Sequence, residues 1–147
     1  MAEYLAVEAQ NVLLNQAAVF TASVPCRNII FENDTGIFIL RGSSTNCFAR
    51  YSIDFNGNIA LPADGTVGPI AVAIAVNGEA RPSSIAISTP SAVSQFNNVT
   101  STATIDVPRG CCYFISLRHV AASTDSTVTP APVITIQNGN FRIQRLA

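Results

Sequence analysis

One histidine, four cysteines and nine carboxylates are the side chains here that could do chemistry. His119 is the only histidine. A Ser-His-Asp relay draws its members from distant positions, so sequence spacing alone does not exclude one. The chain has no G-x-S-x-G elbow, however, and His119 falls at the end of an expected strand. That reads as a surface or packed histidine. Asp54, Asp64, Glu79 and Asp106 all lie near expected turns. Two such carboxylates could flank a glycosidic bond, and several could hold Ca²⁺. Carboxylates near turns are ordinary, though, and the chain has three Tyr and no Trp to stack on a sugar. No EF-hand spacing is present. Cys26, Cys47, Cys111 and Cys112 show no C-x₂-C pair of the kind zinc sites use. Cys26 and Cys47 could form a bridge, which spacing does not decide. Adjacent Cys111 and Cys112 on a strand would point to opposite faces, so joining them would break the strand. The expectation is a chain with no catalytic residues, no cofactor and no metal.

Composition points to assembly instead. Hydrophobic residues make up 48% and charged residues 12% of the chain; an ordinary soluble domain is about 25% charged. No run approaches the ~20 apolar residues of a membrane helix, so no membrane partner is expected. The excess apolar surface must then be covered by protein, and other copies of the chain are the simplest cover. All eight basic residues are Arg, the cation that suits interfaces through its planar, bidentate contacts. The net charge is −1 with no basic run, which argues against nucleic acid. The opening MAEYLAVEAQ lacks the basic start of a secretion signal. Synthesis in a cytoplasm is expected, with thiols free. The Asn33-Asp34-Thr35 and Asn98-Val99-Thr100 glycosylation patterns are then chance matches.

The chain reads as one domain, residues 1–147, of roughly eight to ten short strands. Residues 1–16 form an N-terminal arm or a first strand, with Leu5, Val7 and Ala9 alternating. Strands are expected over 19–23, 28–32, 37–41, 47–55, 97–107, 111–120, 133–137 and 140–146. Asn33 to Gly36, Asn56-Gly57-Asn58, Pro108-Arg109-Gly110 and Asn138-Gly139 serve as turns. A helical turn could follow Pro90. The 65–88 stretch organises the rest as a hairpin about Asn77-Gly78, a dipeptide suited to a type I′ turn. Ile70, Val72, Ile74 and Val76 point one way, while Ala71, Ala73 and Ala75 point the other. The large side chains suit a core. The smooth alanine face suits close approach by another copy. Cys112, Phe114 and Arg118 form a mixed face on a second strong strand, which reads either as sandwich core with Arg at the rim or as a subunit interface with Phe114 as an anchor and Arg118 facing an acidic partner. Ala71, Ala73, Ala75, Cys112, Phe114 and Arg118 are therefore the expected subunit contacts. Many short strands without a long helix imply a sandwich or jelly roll.

GIFILRG (36–42), CFARY (47–51), NIALPADGTVGPIAVAIAVNGE (58–79), TPSAV (89–93), VPRGCC (107–112) and IQNGNFRIQRLA (136–147) resemble a family of small virion proteins of tailed phages, the head fibre or capsid decoration proteins. These in turn are similar to the C-terminal domain of collagen-like spore-surface glycoproteins. The resemblance covers nearly the whole chain. It implies an all-β jelly-roll β-sandwich of the tumour-necrosis-factor/C1q type, a homotrimer, and a major capsid protein as partner on the outer capsid surface. It implies attachment through the N-terminal arm at Glu3, Tyr4 and Leu5. No Gly-X-Y stalk is present, so a compact cap is expected rather than a fibre. Two other readings remain open. One is a module binding a surface glycan through Tyr4, Tyr51 or Tyr113. The other is a hydrolase on a sandwich scaffold that uses Asp54 or His119.

Overall fold

The structure is a computed structural model and describes residues 2–20, 22–24, 30–33, 35–122 and 129–146. Cys26 and its pairing with Cys47, the Asp34 position of one turn, and 123–128 of the polar loop lie outside the described residues. The strands are β1 (Ala2–Ala6), β2 (Gln10–Leu13), β3 (Ala22–Val24), β4 (Ile30–Asn33), β5 (Ile37–Arg41), β6 (Phe48–Ala60), β7 (Ile70–Val76), β8 (Glu79–Ala80), β9 (Ala86–Ser88), β10 (Asn97–Pro108), β11 (Cys112–Val120) and β12 (Val133–Arg145). One sheet runs β10-β6-β12-β1-β3, with β2 also on β12; the other runs β4-β5-β11-β7-β8, with β9 also on β7. The pairings are antiparallel, and the two sheets face each other across one core. This is the expected all-β jelly roll.

Alternation sets which residues enter that core, since successive side chains on a strand face opposite ways. On β6, Ala49, Tyr51, Ile53 and Phe55 are fully buried. On β7 the inner row is Ile70, Val72 and Ile74; on β11 it includes Ile115 and Leu117. An aromatic cluster joins the sheets at the centre. Phe38 on β5 meets Tyr4 of β1 at 4.5 Å and Phe141 of β12 at 4.9 Å between ring centroids. Phe20 stacks on Phe141 at 5.4 Å and reaches Phe55 edge-on at 6.5 Å. Aromatic pairs at these separations add to their area burial.

The organising hairpin forms as its turn chemistry requires. Asn77 has φ 53° and Gly78 φ 87°, the two left-handed positions of a type I′ turn. The Asn77 side chain then clamps the turn to β11: Phe114 N–H donates to Asn77 Oδ1 at 2.9 Å, and Asn77 N–H to Phe114 O at 2.7 Å. Beyond Ala80 the second arm breaks at Pro82, which lacks an N–H for the ladder, into a 3₁₀ turn at Pro82–Ser84. Ser84 Oγ there fills the gap beside β7. It accepts from Ile74 N–H at 3.0 Å and lies 3.2 Å from Ile74 O.

Several expectations need correction. Of the two readings of residues 1–16, the first strand is the one that forms: β1 lies inside a sheet between β12 and β3, and β2 follows on β12. The phase of β1 is opposite to the Leu5/Val7 reading. Tyr4 and Ala6 point inward, and Val7 is 60% exposed. Asn56-Gly57-Asn58 is not a turn, because β6 runs through it, paired with β10 on one edge and β12 on the other. Gly57 is required there by close approach: a Cβ would come within 2.6 Å of Phe55 Cζ and 3.0 Å of Gly139 Cα. Asn138-Gly139 likewise interrupts the register of β12 as a bulge without ending the strand. Residues 91–94 bend without forming a helix.

The alanine face is the largest correction. Ala71, Ala73 and Ala75 are each 0% exposed in the single chain. They sit low between taller neighbours. Register places Ser116, Arg118 and Val120 of β11 on one side, and Ala80 and Ile87 on the other. Val120, Ala80 and Ala122 pack against Ala71 and Ala73. The chain thus seals both faces of β7 itself, and these methyl groups offer a partner no area.

Candidate interaction surface

With the core filled, function must lie on the outer faces of the sheets and at the loops joining them. The outer face of the β10-β6-β12-β1 sheet is polar. Register places Thr102, Asp54, Arg142 and Glu3 in one row and Thr100, Asn56, Asn140 and Leu5 in the next. Glu3 accepts from the Asn140 amide and lies 3.8 Å from Arg142 Nε. Asn98 donates to Asn56 Oδ1 at 2.7 Å and to Asn58 Oδ1 at 3.2 Å. Of the expected capsid contacts, Glu3 and Leu5 lie half-buried on this face, while Tyr4 points into the core at 8% exposure.

The carboxylates singled out in the sequence do not converge. Asp64 lies in the 61–69 loop and Glu79 follows the hairpin turn. Asp54 and Asp106 share a sheet face, but Asp106 pairs in register with Arg50. Arg50 is four residues from Asp54 on one strand, or about 13 Å at strand rise. Paired glycosidase carboxylates stand about 5–9.5 Å apart. Asp106 is further committed to Arg50, which holds it bidentately at 2.8 and 3.1 Å. This hydrogen-bonded guanidinium keeps the Asp106 carboxyl below its usual range. Among the described residues, no group of three or more His, Cys, Asp or Glu side chains is placed to hold a metal ion. Tyr4 and Tyr51 are buried, and Tyr113 packs against the core, so none forms an open sugar platform.

His119 is spent on structure. It is 1% exposed on the inner face of β11. Its Nδ1 lies 3.1 Å from the Val12 carbonyl of β2, so Nδ1 must carry the proton. Burial holds its pKa below the ordinary 6.5, against the opposing pull of the Val12 and Leu13 carbonyls. The sign follows from linkage. The unfolded chain takes up a proton near pH 6.5 and the folded chain only lower down, so stability held above pH 6.5 is lost as pH falls through that interval. Denaturant titrations at pH 7.5 and 5.0 should show this loss, and His119→Gln should flatten it. Parallel profiles for the two proteins would remove His119 from that role.

The outer face of the second sheet exposes the other expected contacts. Cys112 is exposed and Phe114 is 47% exposed. Arg118 is half-buried, with Nε 3.3 Å from Ser116 Oγ and Nη1 3.2 Å from the Asn15 carbonyl. Among the described residues its partners are thus a hydroxyl and a carbonyl rather than an acid. Phe114 and, beside Ala71, the 56% exposed Ile87 are the large apolar side chains this face offers. Local patterning could find Phe114, because it alternates with the half-buried Tyr113 and the buried Ile115.

No protein-family model matches the sequence, and no curated protein matches it. Solved structures do match in fold. The globular domain of zebrafish complement 1qA aligns over 95% of this chain and 93% of its own, at TM-score 0.57 and 14% identity. The Eiger TNF of S. frugiperda aligns over 100% of this chain and 92% of its own, at TM-score 0.67 and 10% identity. The fold is therefore a C1q/TNF-like jelly roll.

Proposed function

We propose that this chain is a virion structural protein, a homotrimeric decoration protein that binds the outer surface of a phage capsid and stabilises it. The observation that carries this reading is the pairing of a C1q/TNF-like jelly roll with the TVGPIAVAIAVNGE and VPRGCC stretches, which resemble the capsid decoration family. The role is mechanical rather than enzymatic. A protein that binds the assembled shell and not its dissociated subunits stabilises the shell by mass action, by about 2.7 kcal/mol per site at a hundredfold excess over Kd. Trimer contacts draw on the Cys112, Phe114 and Arg118 face, with Phe114 as the aromatic anchor.

The test is co-sedimentation of the purified protein with heads of the parent phage stripped of it. Saturable binding, together with a raised disruption temperature of the heads, is expected. Absence of binding at micromolar protein would overturn the assignment.

A further inference from the structure

We infer that the protein docks through one end of its sandwich, a rigid arginine-rich cap that fits a carboxylate-bearing protein surface. This inference rests on the decoration reading and names the contact it leaves open.

Two connections between the sheets lie side by side at this end. Residues 42–47 lead from β5 to β6, and 109–111 lead from β10 to β11. Two backbone bonds staple them, Gly42 N–H to Cys111 O at 3.0 Å and Arg109 N–H to Cys47 O at 2.9 Å, and Cys111 N–H to Pro108 O at 3.1 Å closes the second turn. Ser43, buried, receives the Thr45 and Asn46 N–H groups on its Oγ at 3.1 and 2.9 Å. Beneath them Tyr51 donates its hydroxyl to Arg41 O at 2.6 Å. The chain's last described residues return here, with Leu146 N–H on Arg50 O at 2.7 Å. The surface is thus ordered before any partner arrives, which lowers the cost of binding.

Arg41, Arg50, Arg109 and Arg145 lie at this end and are exposed. They are four of eight arginines in the whole chain. Among the described side chains placed there, the acid is Asp106, already engaged by Arg50. Arg50 also lies over the Phe48 ring at 5.1 Å. Phe48 is 39% and Leu146 53% exposed. Arginines around partly exposed apolar groups make the composition of a protein interface. A nucleic-acid face would need a longer basic stripe, in a chain whose net charge is −1. Arg41 and Arg109, exposed and with no acid paired to them among the described residues, call for carboxylates opposite. Cys47 and Cys111, both exposed thiols, fall inside the footprint and report on it without any mutation.

The experiment uses the stripped heads already described. Wild type, Arg41→Gln/Arg109→Gln and, as a control of equal charge change at the opposite end, Thr66→Glu/Thr129→Glu are compared, each first checked for an unchanged melting temperature. The double variant that loses the two arginines should lose roughly tenfold or more in affinity, with the threonine variant near wild type and wild-type binding weakened by salt. Independently, Cys47 and Cys111 should react with a maleimide in free protein and be shielded on heads. If wild type binds and the arginine variant binds equally, or if both thiols stay reactive on heads, this end is not the contact. If wild type does not bind at all, the decoration reading itself fails. Tighter binding to mixed-sequence duplex DNA than to heads at physiological salt would also overturn the inference, in favour of nucleic acid.

Discussion

Phe38→Ala should cost about 3–5 kcal/mol of stability, the range for deleting a fully enclosed aromatic ring. Phe38 is 0% exposed. It stands where Tyr4 of β1, Phe20 and Phe141 of β12 meet β5. Its ring therefore joins the two sheets, and neither sheet can collapse inward without moving the other. Domains of this size hold about 5–15 kcal/mol in total, so the loss is a large share of the whole. Urea titration measures it directly. Phe48→Ala is the matched comparison, the same deletion at a 39% exposed ring, and should cost under about 1 kcal/mol. Equal costs at the two positions would mean that the sheets do not meet at Phe38.

Gly42→Ala should cost about 2–4 kcal/mol, although it adds only a methyl group to a loop. The new Cβ would stand 2.0 Å from Pro108 O and 2.9 Å from Pro108 C. Both are backbone atoms, so no rotamer change relieves the clash. The two connections must separate, and the Gly42 N–H to Cys111 O bond goes with them. Gly68→Ala is the control, because nothing lies within 4 Å of its added Cβ. It should be neutral within about 0.5 kcal/mol. A neutral Gly42→Ala would show the connections are not stapled, and would remove the rigidity on which the arginine-rich cap depends.

What the sequence made legible was what its local chemistry decides. Ile37–Arg41 and Ile70–Val76 form strands over the expected residues, and Asn77-Gly78 takes the turn its φ angles permit. Asn56-Gly57-Asn58 shows the limit. Three turn-forming residues form strand there because β10 and β12 flank both edges and the Phe55 ring leaves no room for a Cβ at Gly57. The alanine row was misread for a related reason. A row of small side chains beside taller ones is closed by its neighbours, and single-strand periodicity does not show their height. His119 was legible as packed or superficial, and its carbonyl partner on β2 settles it as packed. The arginine-rich cap was not legible as a unit. Arg41, Phe48, Arg109 and Arg145 come from four separate parts of the chain, and only the jelly-roll connections bring them to one end.

With the alanine face sealed by the chain itself, assembly rests on the exposed face that carries Phe114. Light scattering coupled to size exclusion at micromolar concentration tests that most directly. The account predicts a particle of three times the 15.5 kDa chain mass, converted to smaller species by Phe114→Arg. A wild-type protein that elutes with the mass of one chain would contradict it.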